Sequence, residues 1–316
     1  MHVLITGGSG YLGSAIVRTL SRQGHHVTVF ARRASGSGLP GTAIDGDIRD
    51  RGALSRAARN VDAICHTAAL VSIWRPRREE FDEINVGGLQ AVIDVVRAER
   101  IPRLVYTSSF LARPPAGRQT PLSANDYQRT KALALDVARR AGSEGAPIIA
   151  LCPGVVYGAG PVTEGNLVGR LVQDHLAGRL PGIIGADRIW SFSYIDDVAN
   201  AHAAALTSAP PSTLSGYREL ALGGDNLPQV RLFELLRAWR HTRLPRRLPY
   251  ALASLIGAVE EARAGIFKKP PLLTRGTVEI FRHDWPLDSW TTAELLGHPV
   301  TPLEEGLKQT LAEPLR

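Results

Sequence analysis

An open α/β fold, a doubly wound parallel sheet of about seven strands with helices on both faces and a smaller C-terminal α/β part, is predicted by three observations. Short β-branched runs alternate with longer helical patterns through the first half of the chain. A glycine-rich turn joins the first strand to the first helix. Beyond Pro153 the alternation gives way to Gly/Pro-rich loops and longer helices. Strand–helix alternation implies parallel strands, because a parallel pair needs a crossover and the crossover helices then cover the sheet.

Val3–Thr6 reads as the first strand, and Ser14–Gln23 as a helix ended by Gly24. Val27–Ala31 is the second strand, followed by a Gly/Ser/Pro loop from Ser35 to Gly41. Ala43–Asp45 is a short third strand, Ala53–Arg59 a helix and Ala63–His66 a fourth strand. Phe81–Glu99 has helical spacing, with Ile84, Val92, Val95 and Val96 on its apolar face. Leu104–Thr107, Ile148–Leu151 and Tyr217–Leu222 complete the sheet, with helices at Tyr127–Ala141 and Asp196–Leu206. Loops are expected at Gly158–Pro161, Pro181–Gly185 and Pro210–Pro211. Residues 1–159 and 188–224 are assigned to a nucleotide-binding part. Residues 160–187 and 225–316 are assigned to a smaller part over the carboxyl ends of the strands, where open α/β sheets bind ligands.

Composition removes several functional classes. With 44% hydrophobic and 21% charged residues the chain is no disordered polymer. It carries 37 Lys+Arg against 30 Asp+Glu, a net +7. Its arginines are scattered in pairs such as Arg32-Arg33, Arg77-Arg78 and Arg246-Arg247, without a basic stripe, so no nucleic-acid partner is expected. The two cysteines, Cys65 and Cys152, cannot build a disulfide framework or a four-thiolate zinc site. No metal site is expected. Met1-His2-Val3-Leu4-Ile5 lacks the basic flank and apolar core of a secretory leader, which points to a reducing, cytoplasmic location. The apolar run Leu248–Val259 holds Pro249, Ser254 and Gly257 and falls short of the ~20 residues a span needs. It reads as a packed helix rather than a membrane contact.

Thr6-Gly7-Gly8-Ser9-Gly10-Tyr11-Leu12-Gly13 follows the first strand and opens the first helix. Gly7, Gly10 and Gly13 meet the needs of a tight turn, a close backbone approach to a pyrophosphate and a close helix–strand contact. The helix N-terminus then offers free N–H groups to the phosphates. This is a Rossmann-type dinucleotide site. An acidic residue at the end of the second strand would select NAD, but Ala31 stands there, followed by Arg32 and Arg33. Two arginines can neutralise a 2′-phosphate, so NADP(H) is preferred and NAD(H) left open, the competing reading being two solvated loop arginines.

Tyr127-Gln128-Arg129-Thr130-Lys131 puts a phenol and an ammonium four residues apart on one helix face, downstream of Thr107-Ser108-Ser109. With this pair and the glycine motif, the sequence resembles the extended short-chain dehydrogenase/reductase superfamily. Further matching segments are Gly46-Asp47-Ile48-Arg49-Asp50, His66-Thr67-Ala68-Ala69, Asn85-Val86-Gly87-Gly88, Pro153-Gly154-Val155-Val156-Tyr157-Gly158 and Tyr194-Ile195-Asp196-Asp197-Val198. The resemblance spans almost the whole chain in the family's order.

That resemblance implies hydride chemistry at a carbinol or ketone carbon. Tyr127 would be the general acid–base, Lys131 would lower the Tyr127 pKa and hold the ribose hydroxyls, and Ser109 would bind the carbonyl, with Ser108 as runner-up. By the same similarity Tyr11 and Leu12 belong to the cofactor turn, and Asp47 and Ile48 contact adenine. Ala68, Ala69 and Leu70 underlie the pyrophosphate and ribose, and Pro153 to Val156 flank the nicotinamide. Two departures stand out: Ser109 and Tyr127 lie close in sequence, trimming the loop with Arg113-Pro114-Pro115, and Cys152 replaces an arginine common in relatives.

The catalytic set does not by itself separate a ketone reductase from a sugar-nucleotide epimerase. Ser109-Phe110-Leu111-Ala112 lacks the Asp-Glu pair of sugar dehydratases. Trp74, Phe110, Leu111, Tyr157, Trp190 and Phe192 are placed near the crevice, where aromatics suit an apolar ring, although each could equally fill the core. Lys269-Pro270-Pro271-Leu272-Leu273-Thr274 and Thr301-Pro302-Leu303-Glu304-Glu305-Gly306-Leu307 resemble the group of 3β-hydroxysteroid dehydrogenases and dihydroflavonol reductases. The expectation is an NADPH-dependent ketoreductase/alcohol dehydrogenase for a small hydrophobic cyclic (polyketide-, flavonoid- or sterol-like) ketone. Nucleotide-sugar epimerase or reductase is the alternative, a non-catalytic NADP-binding regulator the second. A homodimer is left open.

Overall fold

The computed structural model describes residues 1–161, 163–207 and 216–312; Pro210–Pro211 lie outside the described residues. In chain order the elements are β1 His2–Thr6, α1 Tyr11–Arg22, β2 His26–Ala31, β3 Thr42–Asp45, α2 Arg51–Ala57, β4 Ala63–His66, α3 Glu79–Phe81, α4 Gly88–Ala98, β5 Leu104–Thr107 and α5 Asp126–Ser143. There follow β6 Ile148–Pro153, β7 Val155–Tyr157, α6 Leu167–Leu176, β8 Ile189–Tyr194, α7 Ile195–Thr207, β9 Arg218–Leu222 and β10 Asp225–Pro228. The chain ends in α8 Val230–Arg240, α9 Tyr250–Phe267, α10 Arg275–Ile280, α11 Trp290–Leu296 and α12 Leu303–Ala312.

Seven strands form one parallel sheet in the order β3-β2-β1-β4-β5-β6-β9. The order reverses between β1 and β4, so their carboxyl ends frame the crevice where such folds bind ligands. Strands β1, β4, β5 and β6 are almost wholly buried, as continuous Val/Ile/Leu runs require when helices cover both faces. One core layer joins β1, β2 and α1 to α7, and the other joins α2, α4 and α5 to the opposite face.

Two local features depart from the sequence reading. First, α1 begins at Tyr11 because extended Gly10 is its N-cap, so the second half of the glycine motif is already helix. It ends as predicted: Gly24, at φ +80°, takes the left-handed turn that glycine accepts most readily. Second, the predicted Phe81–Glu99 helix contains a wide π turn over Asp82–Gly87, and such π segments cluster at functional sites.

A second, three-stranded sheet, β10-β8-β7, was not foreseen. Its central strand, Ile189-Trp190-Ser191-Phe192-Ser193-Tyr194, has the alternation of a strand. That sheet buries Trp190, Phe192 and Tyr157 in the main core, so these three aromatics do not face the crevice. Ser193 Oγ donates to the Leu222 carbonyl, and Ser191 Oγ accepts from Gly224 N. The alternate hydroxyls thereby join the two sheets.

The Leu248–Val259 run does lie mostly in a helix, α9. Only a narrow face of it is packed. Among the described residues no helix is long and apolar enough to cross a membrane.

Candidate active site

The glycine turn is built as a cradle. Gly7, at φ +73°, donates its N–H to the Phe30 carbonyl of β2 at 2.8 Å. A Cβ at Gly7 would sit 2.6 Å from the backbone of Ala68, and one at Gly13 would strike the Gly7 carbonyl. The close approach therefore brings the turn against the predicted Ala68–Leu70 loop. Beyond it, Tyr11, Leu12 and Gly13 form the first turn of α1, whose N–H groups have no intrahelical acceptors. Buried Tyr11 donates from its hydroxyl to the Gly158 carbonyl at 3.1 Å, pinning the turn to the loop after β7. A free helix N-terminus behind side-chain-free backbone fits a dinucleotide pyrophosphate.

At the other end of this crevice Arg32 and Arg33 are exposed and, among the described residues, have no ion pair. Asp45 lies beside Ala31 in the β2–β3 register, but both its carboxylate oxygens accept from Ser35, at 2.9 and 2.6 Å. Asp47 is similarly engaged by Arg49, at 2.9 and 2.8 Å, which with the nearby Arg32 charge holds its carboxyl down at about 2. Ile48 is buried against Gly88. Neither carboxylate is a bare acceptor for a ribose.

Ser109, Tyr127 and Lys131 converge at the carboxyl end of β5. Asn125 caps α5 by accepting from Gln128 N at 2.8 Å, which sets the start of the helix and the direction of Tyr127. Burial pushes the Tyr127 phenol up to about 12, and the nearby Ser109 hydroxyl draws it partly back. Ser108 is buried with its Oγ unpartnered among the described residues, while Ser109 Oγ accepts from Leu111 N at 3.2 Å.

Lys131 is only 4% exposed, and loss of water pushes it down to about 8. It donates to the Thr107 carbonyl at 2.9 Å and lies 5.4 Å from the centre of the Tyr106 ring. Its other two protons make no hydrogen bond among the described residues and are available to a bound hydroxyl. The expected depression of the Tyr127 pKa by Lys131 is not seen in the protein alone. There the desolvation of the phenol dominates, and the ammonium is turned to Thr107.

Thr107 is itself held. Its hydroxyl pairs with His202 Nε2 at 2.9 Å, and His202 Nδ1 with the Val198 carbonyl at 2.7 Å, so Nδ1 carries the proton and Nε2 accepts. Burial keeps His202 neutral, down at about 4. His66, buried under the site and paired through Nδ1 with Thr6 Oγ1 at 2.7 Å, is pushed to about 3 by burial and by the Lys131 charge. Both imidazoles are thus uncharged near the ammonium.

Asn85, given no role from sequence, connects the two halves of the site. Its amide oxygen accepts from Leu70 N at 2.7 Å; its amide nitrogen donates to the Leu70 carbonyl at 3.2 Å and to Thr130 Oγ1 at 3.0 Å. It thereby ties the Ala68–Leu70 loop to α5 between Tyr127 and Lys131. A buried Asn in an otherwise apolar helical pattern was the available signal; the π turn that aims it inward was not legible. Asn85→Ala should leave both Leu70 backbone groups unpaired and cost about 2–4 kcal/mol. A lowered melting temperature with a raised KM for the cofactor would show it.

Pro153 ends β6 and is buried, while Val156 on β7 is partly exposed. Phe110 and Leu111, directly after Ser109, are partly exposed, and Phe110 meets buried Trp285 edge-on at 5.4 Å. The shortened Arg113–Pro115 loop is closed by Ala116 N donating to the Asp284 carbonyl at 2.9 Å. The C-terminal segment thus packs against the residues that follow Ser109. Trp74 is half-buried in the loop after β4.

Residues 3–214 match the model of the NAD dependent epimerase/dehydratase family. The chain belongs to that family. Its relatives there are extended short-chain dehydrogenases/reductases, and it is an NAD(P)-dependent oxidoreductase of that type. It is 29% identical over 334 residues, covering 99% of both chains, to 2-alkyl-3-oxoalkanoate reductase of Stenotrophomonas maltophilia (strain K279a). It is 32% identical over 197 residues, 58% of this chain and 60% of the relative, to sterol demethylase protein B of Methylococcus capsulatus (strain ATCC 33009 / NCIMB 11132 / Bath). The solved complex of Thermus thermophilus UDP-glucose 4-epimerase with NAD superposes with TM-score 0.75 over 99% of this chain and 98% of that one, at 22% identity, a likeness of fold. The family description and the solved epimerase complex both carry NAD, which supports a nicotinamide cofactor for this chain.

Proposed function

We propose that this chain is an NADPH-dependent ketoreductase acting on a ketone carried by a hydrophobic skeleton. The observation that carries this reading is the Lys131 donation to the Thr107 carbonyl at 2.9 Å, which holds the Tyr127/Lys131 face of α5 against the end of β5 next to Ser109, with the glycine cradle across the crevice. When bound, the nicotinamide supplies the hydride. Ser109 donates to the substrate oxygen and stabilises its developing charge. Tyr127, protonated at neutral pH, delivers the proton to that oxygen. Lys131 holds the ribose through its two spare protons and favours the phenolate left behind.

Residues 1–159 and 188–224 serve in this reading as the NADP-binding part, and 160–187 with 225–316 as the substrate-binding part. Buried thiols at Cys65 and Cys152 agree with a reducing, cytoplasmic setting. Phe110 and Leu111 beside Ser109 favour an apolar substrate, as do the names of the reductase and sterol relatives. A cyclic polyketide-, flavonoid- or sterol-like ketone, or an alkylated 3-oxo acid, suits that wall. NADPH oxidation should be assayed against such ketones, with UDP-glucose and NAD as the comparison. Turnover of the sugar nucleotide and of no ketone would overturn the reading.

The exposed Arg32 and Arg33, with Asp45 and Asp47 both engaged, support NADP(H) over NAD(H). Arg32→Ala should weaken NADPH binding by about 10- to 100-fold through loss of a charge-assisted bond. NADH binding should hardly change. Equal effects on the two cofactors, read by fluorescence titration, would remove the 2′-phosphate assignment.

A further inference from the structure

Helix α9 is built inside out. Its packed face is Ala253, Gly257 and Ala264, and a Cβ on Gly257 would lie 2.9 Å from the Arg275 nitrogen. Only small residues fit there. Its large residues face outward: Leu252, Leu255, Val259, Ile266 and Phe267, joined by Leu272 just beyond, are each 46–88% exposed. Among the described residues, seven of the thirteen exposed large apolar side chains fall between Leu252 and Leu272. A helix on a water-facing surface shows the opposite arrangement, and a contiguous patch of this kind marks a binding surface.

Charge around the row selects the partner. The two acids of α9 are turned to the protein side, where Glu260 holds Arg263 at 2.7 Å and Glu261 holds Arg275 at 2.8 Å. At the exposed tip Lys268 and Lys269 follow Phe267, and Arg243 and Arg246 precede the helix. All four are exposed and, among the described residues, none has an ion pair. The tip is a fixed structure: Glu260 accepts from Leu272 N at 2.9 Å, and Arg263 donates to the Pro270 carbonyl at 3.0 Å. A second copy laid antiparallel would bring Lys268 and Lys269 against Arg243 and Arg246. A parallel copy would oppose lysine to lysine.

We infer that the α9 face is a peripheral membrane-binding surface that seats its apolar row in the interface of a bilayer containing anionic lipid. An apolar stripe bordered by lysines is the arrangement that lies in such an interface, with the aliphatic stems buried and the ammonium groups at the phosphates. The face also adjoins the site. Gly276 of α10, which packs under α9, abuts Ala124 and Asn125, the cap of the helix that carries Tyr127. Docking therefore sets the crevice close to the lipid surface. This holds whichever ketone is reduced.

The test is flotation of the full-length protein with vesicles of phosphatidylcholine alone or mixed with phosphatidylglycerol. Binding should need the anionic lipid and weaken in high salt. Leu255→Asp with Ile266→Asp should reduce it at least about tenfold at an unchanged melting temperature, since neither side chain is packed. Lys268→Gln with Lys269→Gln, which leaves the apolar row intact, should reduce it roughly 30-fold. Absence of wild-type binding to the mixed vesicles would overturn the inference, as would binding unchanged in both double variants. A wild-type dimer that the Leu255→Asp, Ile266→Asp variant dissolves in light scattering would assign the face to a second copy instead.

Discussion

Tyr127→Phe should lower the turnover number for ketone reduction by about 10²–10⁴-fold, the usual worth of a positioned general acid. The substitution removes one hydroxyl and keeps the ring, so the capped start of α5 and the packing beneath it should persist. NADPH affinity and melting temperature should stay near wild type, which separates loss of the proton donor from loss of the fold. The pH profile adds a second check. Burial holds the phenol up at about 12, so it stays protonated through neutrality, whereas Lys131 titrates at about 8. Reduction should be flat below pH 8 and decline above it as the ammonium loses its proton. A variant retaining most of its turnover, or a wild-type profile that rises through pH 8, would sink the assignment of Tyr127 and Lys131.

Lys131→Met should make the protein more stable and inactive at once. The folded-state pKa of about 8 lies below the ordinary lysine value of 10.5, so between these pH values the unfolded chain binds more protons than the folded one. Stability therefore rises with pH across that window, and below pH 8 the buried ammonium carries its full cost of about 3 kcal/mol. Methionine removes that cost but leaves the Thr107 carbonyl without its donor, which returns about 1 kcal/mol. A net gain of roughly 1–2 kcal/mol at pH 7 should raise the melting temperature by about 2–6 °C. Near pH 10 the advantage should vanish, because wild type is then neutral too. A variant less stable than wild type at pH 7 would show that the ammonium holds the structure together, rather than being held by it for catalysis.

How far the site was legible follows from where its information lies. Gly7, Gly10 and Gly13 could be read because their requirement is local: a left-handed turn and close backbone contacts leave no room for a side chain. Tyr127 and Lys131 could be read because helical periodicity puts them on one face. The crevice wall could not be read in this way. Trp190 and Phe192 carry the composition of a ligand pocket, yet strand alternation buries them between two sheets. Trp285, from the far end of the chain, packs against Phe110 in the wall instead. Asn85 was visible as a residue but not as a clamp, since a π turn decides its direction.

Sequence alone determined the strand–helix alternation of the parallel sheet, the glycine turn and the placement of Tyr127 and Lys131 on one helix face, because each rests on spacing within a single element. Only the tertiary structure decided that Ser108 Oγ lies buried without a hydrogen-bond partner among the described residues. It also decided that Lys131 answers to Thr107 and His202, and that α9 turns its large side chains to the outside. These outcomes depend on which surfaces the rest of the chain can cover. α9 carries the composition of a core helix, but α10 approaches so closely at Gly257 that only its small residues find a place inside.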